Sequence, residues 1–202
     1  MRQLFFLLVA LPFTLLSQPP AETRYELLPS ESKVLWHGED FSHRGGHDGT
    51  IQLSSGNLVV MGTQISKGDF VLDMTTIHNT DQKYVQGQKD LEDHLKNADF
   101  FEVDKFPKAF FSITKAVELH DPLKANQYSF TGFLGIKGIT NSITFPATVI
   151  ISKSAAKATA VIIIDRTKWN ITFQSKTIFS AIKDGALSDE IKLTLDLAFI
   201  DR

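Results

Sequence analysis

The chain has 202 residues, a formal net charge of −2 and no cysteine. This length is enough for one domain with a sizeable hydrophobic core, which must hold the fold together without disulfides. Mild acidity without a block of basic residues argues against nucleic acid as a partner.

The first seventeen residues have the pattern of a secretory signal peptide. Arg2 precedes an apolar run from Leu4 to Leu16, and Ser17 offers a small residue for cleavage. A run this short is typical of a signal-peptide core and is too short to span a bilayer. An N-terminal membrane anchor is the alternative, but no charge cluster follows the run to stop transfer. We therefore predict a cleaved signal at 1–17, a mature domain at 18–202 without a stable membrane span, and a periplasmic location.

The first part of the mature chain predicts strands joined by polar turns. Strands are expected near 33–41, 48–54, 57–61 and 65–75, with turn residues at 45–46 and 54–57. The segment 89–98 differs, because Leu91, Leu95 and Ala98 recur at helical spacing. It predicts a short amphipathic helix lying across one end of the sheet.

The C-terminal half alternates apolar and polar residues with a period of two. The alternation runs through 128–136, 143–151 and 190–200, and each segment has one apolar face. This pattern is typical of antiparallel strands with one face in the core and the other in water. Residues 158–164 are apolar on both sides, so the sequence does not orient that strand.

About eight long strands in one domain must close or stack, because open edges invite aggregation. We predict an all-β fold, a single antiparallel β-barrel of about eight strands with the short helix at one end. A closed barrel of this size is either filled by side chains or able to hold one small ligand. Gly132, Ala147 and Ala160 lie among bulky neighbours and favour a partly empty lumen. The alternative for Gly132 is a bend at a barrel corner.

Three motifs occur in a fixed order along the chain. The first is His94-Leu95, followed by Asp99-Phe100-Phe101-Glu102, Pro107 and a strand with Phe near its start. The second is the glycine-rich hairpin at 132–140, and the third is the segment 165–171. Together they resemble the YceI-like family of exported, lipocalin-like, polyisoprenoid-binding proteins, over roughly residues 24–202. The segment Trp169-Asn170 departs from the family pattern, which commonly has Phe-Gly there.

The resemblance implies an elongated lumen that holds an isoprenoid, a fatty amide or a similar chain. We predict that the protein binds and carries or sequesters a long-chain lipid or isoprenoid, without catalysis, cofactor or metal, and a homodimer is left open. The candidates for lining the lumen are apolar and come from several strands and the helix: Trp36, Phe41, Phe100, Phe101, Phe111, Phe130, Leu134 and Trp169. The alternative is a solid core with no cavity.

The histidines supply a competing hypothesis, a metal-dependent or other enzyme. His43 and His47 would bind a metal if a hairpin brought them together with Asp48 or Asp93. Spaced histidines in a β-rich segment are a weak signal compared with a HExxH motif.

Two further polar residues belong to the family motifs. His94 has no accompanying nucleophile-elbow sequence, so we expect it to pack the helix onto the barrel end. Arg166 either pairs with a carboxylate, such as that of Asp165, Asp189 or Glu190, or meets a lipid head group. We favour the structural ion pair.

Overall fold

A computed structural model describes residues 21–42, 45–121, 124–181 and 185–202. The predicted signal at 1–17 and His43 lie outside the described residues. Within them, no helix is long and apolar enough to cross a bilayer.

The described chain is built almost entirely from antiparallel strands. In chain order these are β1 (Glu22–Leu27), β2 (Lys33–Asp40), β3 (Gly46–Met61), β4 (Gln64–Asn79), helix α1 (Val85–Lys96), β5 (Lys108–Asp121), β6 (Lys124–Ile136), β7 (Ile139–Ile151), β8 (Ala155–Asp165) and β9 (Leu187–Asp201).

The strands form a closed barrel. From β9 back to β3 each strand pairs with its chain neighbour, and β2 closes the ring by pairing with both β3 and β9. Strand β1 also pairs with β3 and β9, so β1 and β2 occupy one position in succession along the wall. The nine described strands therefore fill eight positions, and the predicted eight-stranded antiparallel barrel is confirmed.

One local prediction in the N-terminal half was wrong, and one strand was missed. The expected turn at 54–57 lies inside β3, which runs unbroken from Gly46 to Met61 and contains a register shift between Leu53 and Ser55. Strand β1 was not predicted. The helix has the expected position, although it begins at Val85, four residues before the predicted 89.

The inward and outward faces follow the predicted alternation. Strand β8, which the sequence left without orientation, turns Ile162 and Ile164 inward and leaves Val161 and Ile163 at least half exposed.

The two ends of the barrel differ in packing. One end, where β1 meets the last residues of β3 and β9, is filled by buried side chains: Tyr25, Leu27, Val60, Ile65 and Phe199. The other end, which we call the mouth, is where β2, β4 and β8 finish and β3, β5 and β9 begin. Helix α1 and the 166–186 connection also lie there, because each joins strands at that end. The barrel is therefore solid at one end and covered by non-strand segments at the other.

Candidate functional site

The barrel contains an apolar lumen in two adjoining parts. At the mouth lies a chamber of about 630 Å³, and below it lies a deeper pocket of about 90 Å³. Leu72, Leu134 and Leu193 line both, so the two parts adjoin along the inside of the barrel. Binding sites for small molecules usually have roughly 300–1,000 Å³ and mostly apolar walls. The alternative of a solid core therefore does not apply to the mouth half of the barrel.

Six of the eight predicted lipid-binding residues lie in the walls of this lumen. Trp36, Phe100 and Phe101 line the mouth chamber. Phe111 and Phe130 line the deeper pocket, and Leu134 belongs to both parts. Their contact with a lipid stays a prediction, since the geometry places the side chains and not a ligand.

Phe41 and Trp169 do not line either part of the lumen. Phe41 follows the end of β2, where its ring is half exposed and lies 4.4 Å from the Lys176 Nζ. Trp169 is fully buried beside the lumen wall, and its indole N–H donates to the Leu134 carbonyl oxygen over 3.1 Å. Neither residue therefore lies in the wall of either part of the lumen, and both stay predictions as lipid contacts. The first lies past the end of its strand, and the second packs behind the wall.

The lumen wall also includes residues that the sequence analysis did not select. They come from β4, α1, the 166–186 connection and β9: Leu72, Met74, Ile77, Leu91, Leu95, Phe173, Ile191 and Leu193. The apolar face of β9 was visible in its alternation and would have supplied two of them. Phe173 follows a short 3-10 helix, Arg166–Trp169, and no periodic pattern marks it.

The small residues in the wall have two different roles. A Cβ on Gly132 would lie 2.5 Å from the Phe111 Cζ and 2.3 Å from the Ser112 carbonyl oxygen, so this glycine lets the aromatic ring and the neighbouring strand approach closely. Ala147 and Ala160 pair across β7 and β8 and line the deeper pocket. The two alanines thus leave space in the lumen, whereas the space at Gly132 is occupied.

Helix α1 covers part of the mouth and is held there by one carboxylate. Glu92 accepts hydrogen bonds from the His78 Nδ1 at 2.7 Å and from the Asn79 backbone N–H at 3.0 Å, both at the end of β4. Burial raises the pKa of the Glu92 carboxyl, but these two contacts and Lys96 outweigh that effect and leave the pKa below its ordinary value. The charged carboxylate therefore stabilises the packing of helix α1 against the end of β4.

We expect Glu92→Ala to loosen helix α1. The substitution leaves the Asn79 N–H without its acceptor, and a lost hydrogen bond to a charged group destabilises by about 1.5–3 kcal/mol. Hydrogen exchange of the α1 amides should therefore accelerate by roughly tenfold or more, with the barrel strands unaffected. Exchange measured by mass spectrometry on the α1 peptide checks this.

Asp93→Ala is the matched control, because Asp93 is largely exposed and its only described partner is Lys89 on the same helix. Surface pairs of this kind contribute little, so its exchange should stay near that of the unchanged protein. In the unchanged protein, the protection factors of the α1 amides, which are the intrinsic exchange rates at the same pH divided by the observed rates, should also fall as pH drops below 4.5, the ordinary pKa of Glu92. A carboxyl with a lowered pKa gives its full stabilisation above the ordinary pKa and loses it on protonation. Equal exchange in the two variants would contradict this anchoring role.

Arg166 lies in the wall of the mouth chamber and is almost fully buried. Its guanidinium donates to the carbonyl oxygens of Ser188, Ile171 and Phe173 at 2.9–3.0 Å. Its Nη2 lies 3.3 Å from the Asp189 Oδ1, an ion pair without hydrogen-bond geometry. The structural pairing favoured from the sequence is therefore present, and it joins the 166–186 connection to the start of β9.

His94 packs the helix against aromatic rings at the mouth. Its imidazole meets Phe100 and Phe173 edge-on, with ring centroids 5.0 and 4.6 Å apart, and its Nδ1 contacts the Asn97 amide at 3.1 Å. The position matches the packing role expected from the sequence.

The other histidines near the mouth each contact carboxylates. The His47 Nδ1 lies 3.1 Å from the Asp81 Oδ2, and His37 contacts Glu39 at 3.0 Å and Asp48 at 2.8 Å. The hydrogen bonds to Glu39 and Asp48 raise the pKa of the His37 imidazole. Across the described ranges, no three His, Cys, Asp or Glu side chains come close enough to hold a metal ion.

A closed antiparallel barrel with an apolar lumen under a helix is a lipocalin-like architecture. The model of the YceI-like domain matches residues 25–199, which is nearly the whole described chain. The protein therefore belongs to the YceI-like family. No curated protein matches the chain.

Solved structures share this fold at low sequence identity. BcnA of Burkholderia cenocepacia is 18% identical with a TM-score of 0.67, covering 85% of this chain and 98% of its own. A polyisoprenoid-binding domain from Saccharophagus degradans, implicated in plant cell wall breakdown, is 13% identical with a TM-score of 0.60, covering 88% and 98%. A YceI protein of Campylobacter jejuni is 20% identical with a TM-score of 0.52, covering 69% and 74%.

The departure at Trp169-Asn170 keeps the local geometry. Asn170 ends the short 3-10 helix in the left-handed region, with φ 57° and ψ 34°. Asparagine is one of the few residues other than glycine that adopts this conformation readily. Asn170 therefore stands at a position whose conformation glycine also adopts readily.

Proposed function

We propose that the protein binds one long apolar lipid, an isoprenoid or fatty chain, in the lumen and carries or sequesters it. The observation that carries this proposal is the apolar chamber at the mouth, with a deeper apolar pocket adjoining it at Leu72, Leu134 and Leu193. The polyisoprenoid-binding domain among the structural neighbours supports the same ligand class. The predicted signal at 1–17 and the family membership support export to the periplasm.

The proposed mechanism is removal of the chain from water without chemical reaction. Each CH₂ group that enters the lumen contributes about 0.8 kcal/mol, or roughly a fourfold change in the dissociation constant. The lining of the deeper pocket is almost wholly aliphatic and aromatic, so it offers no polar groups that would recognise a polar substituent on the ligand. Polar groups such as Gln174, Ser188 and Glu190 occur at the mouth, so a head group would lie there.

The direct test is to denature the purified protein and analyse the extract by mass spectrometry for lipid. The proposal expects a long-chain lipid at up to one molecule per chain. An extract without lipid, from protein that also fails to take up added prenol or fatty amide, would overturn it.

Affinity should rise with the length of the apolar chain and then level off. Leu187 and Leu197 of β9 both line the lumen, and ten residues of a tilted strand span a depth of roughly 25 Å. Once a chain fills that depth, further carbons protrude into water and add little. Competition of a homologous series of prenols against a fluorescent lipid measures this. Affinity that is flat with length but steep with head group would contradict binding by desolvation.

A further inference from the structure

The mouth is bordered by large apolar side chains that point into solvent. They come from the end of β2, the start of α1 and the 166–186 connection, and range from about half exposed to 81% exposed: Phe41, Tyr84, Val85, Ile178 and Phe179. We call these five residues the apolar rim. Each lies on a segment that joins two strands at the mouth, so the topology places all five at the same end of the barrel.

Hydrogen bonds join the segments that carry the rim residues. Asp81, three residues before Tyr84, contacts His47 at the start of β3, close to the β2–β3 connection that carries Phe41. The Phe41 N–H donates to the Ala186 carbonyl oxygen over 2.8 Å. The segment before α1 and the 166–186 connection are therefore both hydrogen-bonded close to the β2–β3 connection.

The 166–186 connection continues this surface. Lys176 lies over the Phe41 ring, and the N–H groups of Ile178 and Phe179 both donate to Ser175, which is fully buried. The backbone that presents these two apolar side chains is thus fixed to the barrel by a buried residue, while the side chains themselves remain in water.

Exposed apolar groups around the opening of an apolar lumen point to a specific partner. A lipid of the proposed class has little solubility in water and is dissolved in membranes. Apolar and aromatic side chains flanked by lysines are the groups that lie at the interface of a bilayer. Here Lys83 precedes Tyr84 in sequence and Lys176 lies on Phe41, and both lysines are exposed.

We propose that the apolar rim docks the mouth onto the surface of a phospholipid bilayer, so that a lipid passes between membrane and lumen without crossing water. The choice of a membrane as partner rests on the proposed function, because the lumen opens inside the rim. Ile150 and Ile200 are about as exposed as the rim residues but lie at the solid end, where no lumen opens, so they supply a comparison for the rim.

Vesicle flotation tests the docking with two matched double variants. Ile178→Ser/Phe179→Ser changes rim residues that are 50% and 51% exposed, and Ile150→Ser/Ile200→Ser changes residues at the solid end that are 56% and 49% exposed. On vesicles of phosphatidylethanolamine and phosphatidylglycerol, the rim variant should bind roughly tenfold more weakly, because membrane binding scales with buried apolar area. The solid-end variant should bind as the unchanged protein does.

A fluorescent label gives a second measurement, which reports contact with the membrane directly and does not require a variant that binds vesicles more weakly. The chain has no cysteine, so Phe179→Cys and Ile150→Cys each carry a single environment-sensitive dye. Addition of the same vesicles should shift the emission of the dye at 179 to the blue and leave the dye at 150 unchanged. Equal shifts at both sites, or no shift at either with no flotation, would overturn the proposal.

Two other outcomes separate this inference from its alternatives. A dimer in sedimentation that the rim variant abolishes, with no vesicle binding by either protein, would make the rim an interface between copies and overturn membrane docking. Lipid in the extract without vesicle binding would overturn the docking alone. Vesicle binding by a protein that neither contains nor takes up lipid would overturn the proposed function but would support the docking.

Discussion

Leu134→Asp should abolish lipid retention while the barrel still folds. Leu134 is buried, lies on the inner face of β6 and lines both parts of the lumen, so a carboxylate there lies against any chain that occupies either part. Burying a polar group without a partner costs roughly 2–7 kcal/mol, which corresponds to an affinity loss of about thirtyfold or more. The free protein suffers less, because an empty lumen admits water to the carboxylate. Lipid content of the purified variant, measured by extraction and mass spectrometry, checks the prediction.

Phe133→Asp is the matched control for this experiment. Phe133 is adjacent in sequence but lies on the outer face of the same strand, where its side chain is half exposed. The same new charge is solvated there and should leave the lipid content unchanged. If Leu134→Asp folds and carries its full complement of lipid, the ligand does not pass Leu134 and the proposed lumen is not the binding site.

The architecture could be predicted because most strands have one dry and one wet face. The alternation at 128–136, 143–151 and 190–200 carries the information on orientation, and each segment is now part of β6, β7 or β9. The segment 54–57 was mispredicted as a turn because its glycine and polar residues belong to an irregular part of strand β3. A Cβ on Gly56 would lie 2.7 Å from the Phe70 Cδ1, so this glycine lets the ring lie across a bulged strand.

The site could be predicted only in part, for a related reason. Residues within strands, such as Phe111, Phe130 and Leu134, were assigned to the lumen because strand period fixes the face on which a side chain lies. Phe41 and Trp169 lie just beyond the ends of strands, where that period no longer applies. The position of such residues depends on long-range contacts, such as the hydrogen bond of Trp169 to Leu134, that no local pattern encodes.

Arg166→Met should destabilise the protein strongly. Burial lowers the pKa of the Arg166 guanidinium, whereas the carboxylates of Asp189 and Asp165 oppose that effect. Removing the cation leaves the Asp189 carboxylate in a largely buried position without its partner, and breaking a buried pair in this way costs about 3–5 kcal/mol. The carbonyl oxygens of Ile171 and Phe173 also lose a donor. Urea unfolding followed by circular dichroism measures the loss as a lower midpoint.

Arg24→Met is the control for the loss of a cation. Arg24 pairs with Glu26 at 2.7 Å on the surface, where its side chain is about half exposed. An exposed pair contributes about 0–1 kcal/mol, so this variant should unfold near the midpoint of the unchanged protein.

The double variant Arg166→Met/Asp189→Leu decides between the two roles considered for this arginine. It removes both charges, so it should recover part of the stability that Arg166→Met loses, although the carbonyl oxygens at 171, 173 and 188 stay without their donor. If the arginine is structural, the double variant should also retain lipid at the level of the unchanged protein, because the lumen wall keeps its apolar lining. A double variant with recovered stability but without lipid would contradict the structural role, since it would show that the guanidinium holds the head group of the ligand.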